Sequence, residues 1–340
     1  MNMIEIDGSY GEGGGQILRT SLSLAAITGQ GVHFTKIRAN RRKPGLMRQH
    51  RICAQAAAEI TGGELTGAEL NSQEMTFVPG TIRGGEYHFS TGSAGSTMLI
   101  AQTVLPILLL ADRPCRVVLE GGNHAPGAPV FDFFDRVFLP CLRRMGCNIQ
   151  AKLERYGFYP VGGGRVELEI NPIREWQYLE LTDQDKSIEG KIVAVGSGID
   201  RDILEDEVRL AREGIGEGNW ETEIREVDSP GPGNVLYLEL VRKNITELFS
   251  VCGEFNVPRK TVAERATGMA RKYLDSGAAA GRFLADQLLL PMALGKGGKY
   301  LTLPPTPHTQ TNAAVIRKFL PVEITMNNLE NGTFMIEVKK

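Results

Sequence analysis

Residues 92–106 read GSAGSTMLIAQTVLP and residues 277–291 read GAAAGRFLADQLLLP. In each, a glutamine (Gln102, Gln287) stands ten residues after the first glycine, and a proline (Pro106, Pro291) follows four residues later. A third stretch, GEGGGQILRTSLSLAA at 11–26, follows the same plan of a glycine cluster and then an apolar run. Shared register of this kind points to a repeated structural unit. The glycines read as turns between a short strand and a buried helix.

Working outward, MIEID at 3–7 and EYHFS at 86–90 alternate with period two and predict strands ahead of the first two glycine clusters. A second helix is expected in each unit at 44–60, 129–145 and 312–319. Strand-like segments follow at 74–78, 148–153 and 322–326. The unit is then β-α-α-β-β, an α+β module that stacks on its siblings to bury both faces. Gly11 and Gly92 are 81 residues apart, whereas Gly92 and Gly277 are 185 apart. Segment 166–170 reads as the third unit's opening strand, so its helix arrives about a hundred residues late. The excess predicts a small α/β domain over 181–276, inserted into a main domain of 1–180 and 277–340. Within it, strands are expected at 191–195, 221–227, 234–241 and 247–252, with helices at 202–212 and 259–274.

A net charge of −2 supplies no global positive field, so any nucleic-acid contact must rest on a local patch. Five cysteines with no CxxC spacing favour reduced thiols and a cytoplasmic setting. The first residues lack the basic and apolar regions of a signal peptide. The apolar run 98–111 is interrupted by Gln102 and Pro106 and falls short of the ~20 residues of a spanning helix, so no membrane association is expected.

Four groups of residues carry chemical potential. The turn GEGGGQ at 11–16 opens a helix, where free N–H groups favour phosphate. Glu12 within it would repel phosphate unless a divalent cation intervened, which suggests a Glu12–Mg²⁺–phosphate arrangement; the glycines also fit a tight turn with no ligand. Six cations fall between Arg38 and Arg51, beside Arg19 of the first unit. They read as a polyphosphate or RNA-backbone site or as a solvated face, and no aromatic side chain is interleaved. His308, in LPPTPHTQTN at 303–312, sits in a proline-stiffened loop, with neutral imidazole available as nucleophile or base; a surface-loop histidine reads equally well. Phe283-Leu-Ala-Asp286-Gln287 places an aromatic beside polar groups, fit either for an adenine or for core packing. His33, His50, His88 and His124 are expected at strand edges or in loops, and YGFYPVGGG at 156–164 reads as a hairpin-like connection.

Taken together, GEGGGQILR (11–19), IRANRRKPGLMRQH (37–50), GSAGS (92–96), YGFYPVGGG (156–164), FLADQLLLPMAL (283–294) and the PxPHTxTN loop resemble the RNA 3′-terminal phosphate cyclases. The likeness spans nearly the whole chain and is weakest in the expected insertion. One departure is Tyr156, where that family usually has Arg or His. The resemblance implies three stacked two-helix, four-strand units and a thioredoxin-like domain inserted in the third. It implies an ATP-dependent enzyme, a ligase or nucleotidyltransferase, that converts an RNA 3′-phosphate end to a 2′,3′-cyclic phosphate. The route runs through a covalent histidine–AMP and an RNA 3′-adenylate, with Mg²⁺ or Mn²⁺ as the metal.

By matching position, the resemblance makes His308 the nucleophile and Glu12 the metal ligand. It assigns Arg19, Arg38, Arg41 and Gln49 to phosphate and RNA-end contacts. Gln102, Pro129, Phe283, Leu284, Ala285, Asp286 and Gln287 become the ATP pocket, with adenine between Phe283 and Pro129. A catalytically silent relative acting in ribosome assembly is the main alternative, and the joint presence of His308, Arg41 and Glu12 counts against it. A carboxyvinyl-transfer enzyme, built from similar units, would instead bind phosphoenolpyruvate and form no covalent nucleotide.

Overall fold

The computed structural model describes residues 3–183 and 189–340. Residues 184–188, just inside the expected start of the insertion, lie outside the described residues. The architecture is mixed α+β, with helices packed on several four-stranded mixed sheets.

The first stretch runs β1 (Met3–Asp7), α1 (Gly15–Thr28), β2 (Gly31–Thr35), α2 (Arg48–Thr61), β3 (Glu64–Thr66) and β4 (Met75–Val78). The second runs β5 (Glu86–Ser90), α3 (Thr97–Leu108), β6 (Cys115–Gly121), α4 (131–144), β7 (Asn148–Arg155) and β8 (Gly164–Asn171). A π-helical turn at Phe134–Phe138 lies within α4. Then come β9 (Leu179–Leu181), β10 (Glu189–Ser197), α5 (Arg201–Ile215), β11 (Trp220–Glu226), β12 (Gly233–Val241), β13 (Thr246–Cys252) and α6 (Arg259–Ser276). The chain ends with α7 (Arg282–Leu294), β14 (Gly298–Thr302), α8 (Pro307–Phe319), β15 (Glu323–Asn328) and β16 (Phe334–Lys339).

Three sheets have strand orders β1-β2-β4-β3, β5-β6-β8-β7 and β9-β14-β16-β15. In each, the first pair is parallel and the remaining pairs are antiparallel. The fourth sheet is β11-β10-β12-β13. Two expectations are corrected here. The stretch 166–170 belongs to β8, paired with β6 and β7 in the second sheet, and does not open a third. The parallel partner of β14 is the three-residue β9, too short to leave a periodic signal. A strand also separates the two helices of each stretch (β2, β6, β14), so the order is β-α-β-α-β-β and not β-α-α-β-β.

Local chemistry explains the helix ends. Gly29 and Gly62 close α1 and α2 in the left-handed region that glycine favours. Ser96 caps α3 by accepting from Leu99 N–H at 3.3 Å. Pro106 and Pro291 lie inside α3 and α7, where each lacks the N–H that would bond the carbonyl four residues back. Those carbonyls belong to Gln102 and Gln287. Helix α3 is buried along most of its length, with Met98, Ile100, Ala101, Val104 and Ile107 fully enclosed. The main core joins helices α1–α4, α7 and α8 to three of the sheets and takes in Val193, Val195, Val235, Tyr237 and Leu248 from the fourth. A second, smaller core gathers Ile192, Leu204, Leu236, Phe249, Val262 and Tyr273 from β10, β12, β13, α5 and α6. No helix among the described residues is long and apolar enough to cross a membrane.

Candidate active site

The glycine turn before α1 is fastened to the far end of the chain. Glu12 N–H donates to Thr311 Oγ1 at 3.2 Å, and Thr20 Oγ1 donates to Asn312 Oδ1 at 2.8 Å. Both partners sit on α8. That helix begins at Pro307, five residues earlier than the sequence suggests. Thr306 caps it by accepting from Thr309 N–H at 3.2 Å, and proline occupies the first helical turn. His308 is therefore a first-turn helical residue, not a loop residue, and it stands where the helix dipole favours an anion.

Around His308 the charges are close. Its Nδ1 lies 3.4 Å from Glu12 Oε2, and Arg41 forms an ion pair with Glu12. Both carboxylate oxygens of Glu12 are buried, and Arg41 and His308 are the polar groups that face them. A side chain at Gly14 would put a Cβ 2.4 Å from Arg41 Nη2 and 2.6 Å from the Glu12 carboxylate, and so would push the pair aside. The His308 pKa is lowered by burial, reinforced by Arg19, Arg41 and Arg282, against an opposing pull from Asp286. Neutral imidazole is thus favoured. Asp286 itself is raised, chiefly by burial.

A cavity of about 340 Å³ opens beside this cluster, within the ~300–1,000 Å³ range of small-molecule sites. His308, Arg19 and Gln102 line it together with Pro129, Phe283, Asp286 and Gln287. Gln16 is also on the wall and accepts from Arg19 Nη2 at 2.7 Å.

Not every residue singled out in the sequence reaches this space. Leu284 and Ala285 are buried in the main core and do not line the cavity, because helical spacing puts 283, 286 and 287 on its face and turns 284 and 285 away. Arg38, at φ 54°, donates from Nη1 to the carbonyls of Lys43 and Gly45 at 2.9 and 2.7 Å and so braces its own loop. Gln49 Oε1 accepts from Ser96 N–H at 3.0 Å, joining α2 to the GSAGS turn.

Among the contributors that the sequence reading missed are Leu248, Ser250, Arg282 and His50. Leu248 and Ser250 reach the wall from β13, which no local motif signals. His50 is not at a strand edge or in a loop but buried in the first turn of α2. A Cβ on Gly15 would stand 2.3 Å from its Nε2 and 2.8 Å from Arg19 Nη1. Burial, with Arg19, Arg38 and Arg41 nearby, lowers its pKa to about 3. Its place beside Arg48 and Gln49 at a helix start was the available signal.

The comparisons with known proteins bear on this arrangement. A family model described as RNA 3′-terminal phosphate cyclase matches residues 10–326. The chain belongs to the RNA 3′-terminal phosphate cyclase family. An RNA 3′-terminal phosphate cyclase of Koribacter versatilis (strain Ellin345) is 45% identical over 332 residues, covering 97% of this chain and 94% of that protein.

For the metal that the cyclase family implies, the donor set is narrow. Among the described residues no group of three His, Cys, Asp or Glu could hold an ion by itself. Glu12, whose buried carboxylate has no partner beyond Arg41 and His308, fits a site of the Mg²⁺ type, in which one carboxylate is completed by phosphate oxygens and water.

Proposed function

We propose that this protein uses ATP to convert RNA 3′-phosphate ends to 2′,3′-cyclic phosphates, with His308 as the nucleophile. The observation that carries this reading is the meeting of His308, Arg19 and Phe283 on one cavity wall, with Glu12 and Arg41 at the imidazole edge. Adenine lies between Phe283 and Pro129, with Gln102, Asp286 and Gln287 around the nucleoside. Arg19, Arg41 and the loop braced by Arg38 face phosphate, and Gln49 positions the adjoining GSAGS turn.

Neutral His308, with Nδ1–H turned to Glu12, presents its Nε2 lone pair to the α-phosphorus of ATP. The N–P bond forms as the bond to pyrophosphate breaks, leaving AMP on the imidazole. An oxygen of the RNA 3′-phosphate then attacks that phosphorus and displaces His308. The adjacent 2′-OH, held close by the ribose itself, attacks the 3′-phosphorus, loses its proton and expels AMP. Splitting the activation into two displacements makes each feasible, and the guanidinium groups stabilise charge on the transferring phosphoryl group. Glu12 would hold Mg²⁺ or Mn²⁺, which supplies further charge stabilisation to the phosphates when bound.

This reading carries a domain plan as well. Three tandem units over 1–180 and 277–340 hold the site, and 181–276 forms a thioredoxin-like insertion whose β13 reaches the nucleotide. Reduced, largely buried cysteines favour a cytoplasmic setting.

Incubation with α-labelled ATP and Mg²⁺ tests the chemistry. Label should survive denaturation, be lost in acid, and be absent from His308→Ala. A wild-type protein that takes no label, or equal labelling of the variant, overturns the proposal.

A further inference from the structure

Three cations bear on His308: Arg19, Arg41 and Arg282. Arg19 is held by Gln16, and Arg41 is paired with Glu12. Arg282, the first residue of α7, has no ion pair or hydrogen bond among the described residues, and its side chain is exposed. It lines the same cavity as His308, with its guanidinium carbon 4.9 Å from the centre of the Phe283 ring. The ionisable side chains on that wall are Arg19, Arg282, His308 and Asp286. Two guanidinium groups face a single carboxyl there, so the cavity carries an excess of positive charge.

We infer that Arg282 is a phosphate-binding residue for the nucleotide, engaging the α-end of the triphosphate between the aromatic platform and His308. The inference rests on the function proposed above and adds a contact it does not include. Position decides which phosphate. Arg282 adjoins Phe283, on which the adenine stacks, and shares the cavity with His308, where the α-phosphorus must arrive. The RNA end, by contrast, approaches from the Arg38–Arg41 loop. An exposed cation–π contact is weaker than a charge-assisted hydrogen bond to phosphate, so the ring releases the guanidinium when the anion enters. Arg282 thus rests on Phe283 in the free protein and turns toward phosphate in the complex.

Calorimetric titration of inorganic tripolyphosphate and, separately, of adenosine into wild type, Arg282→Ala and Arg282→Lys tests this, with thermal melting as the check on folding. Arg282→Ala should weaken tripolyphosphate roughly tenfold, the scale of one charge-assisted hydrogen bond, and leave adenosine within about twofold. Arg282→Lys, which keeps the charge but not the planar fork, should fall between. Unchanged tripolyphosphate affinity, or no measurable binding by wild type, overturns the inference. So does a loss confined to adenosine, which would make Arg282 a prop for Phe283, or one confined to a 3′-phosphorylated oligoribonucleotide. None of these titrations requires self-adenylylation, so a failure to label would strike the proposed function and leave this result standing.

Discussion

Gln102 on α3 donates from Nε2 to Oε1 of Gln287 on α7 at 2.5 Å, joining two helices across 185 residues of sequence. Both side chains line the cavity, and each helix carries a proline four residues further on. The contact sets the spacing between two walls of the cavity and leaves one amide oxygen and one amide nitrogen for a ligand.

The pair should therefore behave as a unit. Gln102→Ala and Gln287→Ala each strand a partly buried amide, so the double variant should lose less stability than the sum of the singles. A coupling of about 1 kcal/mol is expected from chemical denaturation. Additive losses would show the two helices to be independent at this point.

His50 makes a prediction about acid. Its folded pKa, about 3, lies below the ordinary 6.5, so the unfolded chain binds the extra proton first. Stability is thus undiminished above pH 6.5 and falls as the pH drops toward 3, with a slope of up to about 1.4 kcal/mol per pH unit. Denaturation midpoints across this range should decline more gently in His50→Gln. A parallel decline in both proteins would remove His50 as the cause.

Glu247 predicts the opposite slope. This fully buried carboxyl accepts from Gly281 N–H at 2.5 Å, at the start of the helix that carries Phe283 and Asp286. Burial raises its pKa to about 8. The folded state keeps a proton that the unfolded chain releases above 4.5, so its contribution is full below pH 4.5 and is lost as the pH rises through 8. Glu247→Gln should flatten that limb while keeping the acceptor for Gly281. Glu247→Ala should cost about 1–3 kcal/mol through the unpaired N–H. An unchanged pH profile for Glu247→Gln would refute the assignment.

Arg41 and Arg143 differ in what surrounds them. Arg41 pairs with Glu12 beside His308, whereas Arg143 lies on α4 and donates to the carbonyl of Ile149 at 3.1 Å. Arg41→Ala should reduce processing of a 3′-phosphorylated RNA by tenfold or more, roughly the worth of one phosphate-directed cation, and Arg143→Ala should leave it near wild type. Equal effects in a cyclisation assay would make the Arg38–Arg51 loop a solvated face.

Much of this layout was legible because it depends on local chemistry. Glycines at turns, an apolar helix too interrupted to span a membrane, and the matched Gln102 and Gln287 all leave marks in short windows. The plan of glycine cluster and paired helices leaves no place for β2, β6 and β14, although Gly29, Pro114 and Gly297 mark a break before each. Strand β9 has only three residues. Prolines around His308 read as loop, yet Pro307 is what begins α8. His50, Leu248 and Ser250 enter the site through packing between elements far apart in sequence, and that is absent from any local window.

The Glu12–Thr311 contact has a bearing on biosynthesis. The glycine turn leaves the ribosome 299 residues ahead of the threonine that anchors it. A nascent chain that has not reached α8 has neither the imidazole nor the hydroxyl that steadies the turn. Under the function proposed above, a copy cut short before α8 lacks both the nucleophile and the tether of the turn, and it should be inactive even where the earlier sheets fold.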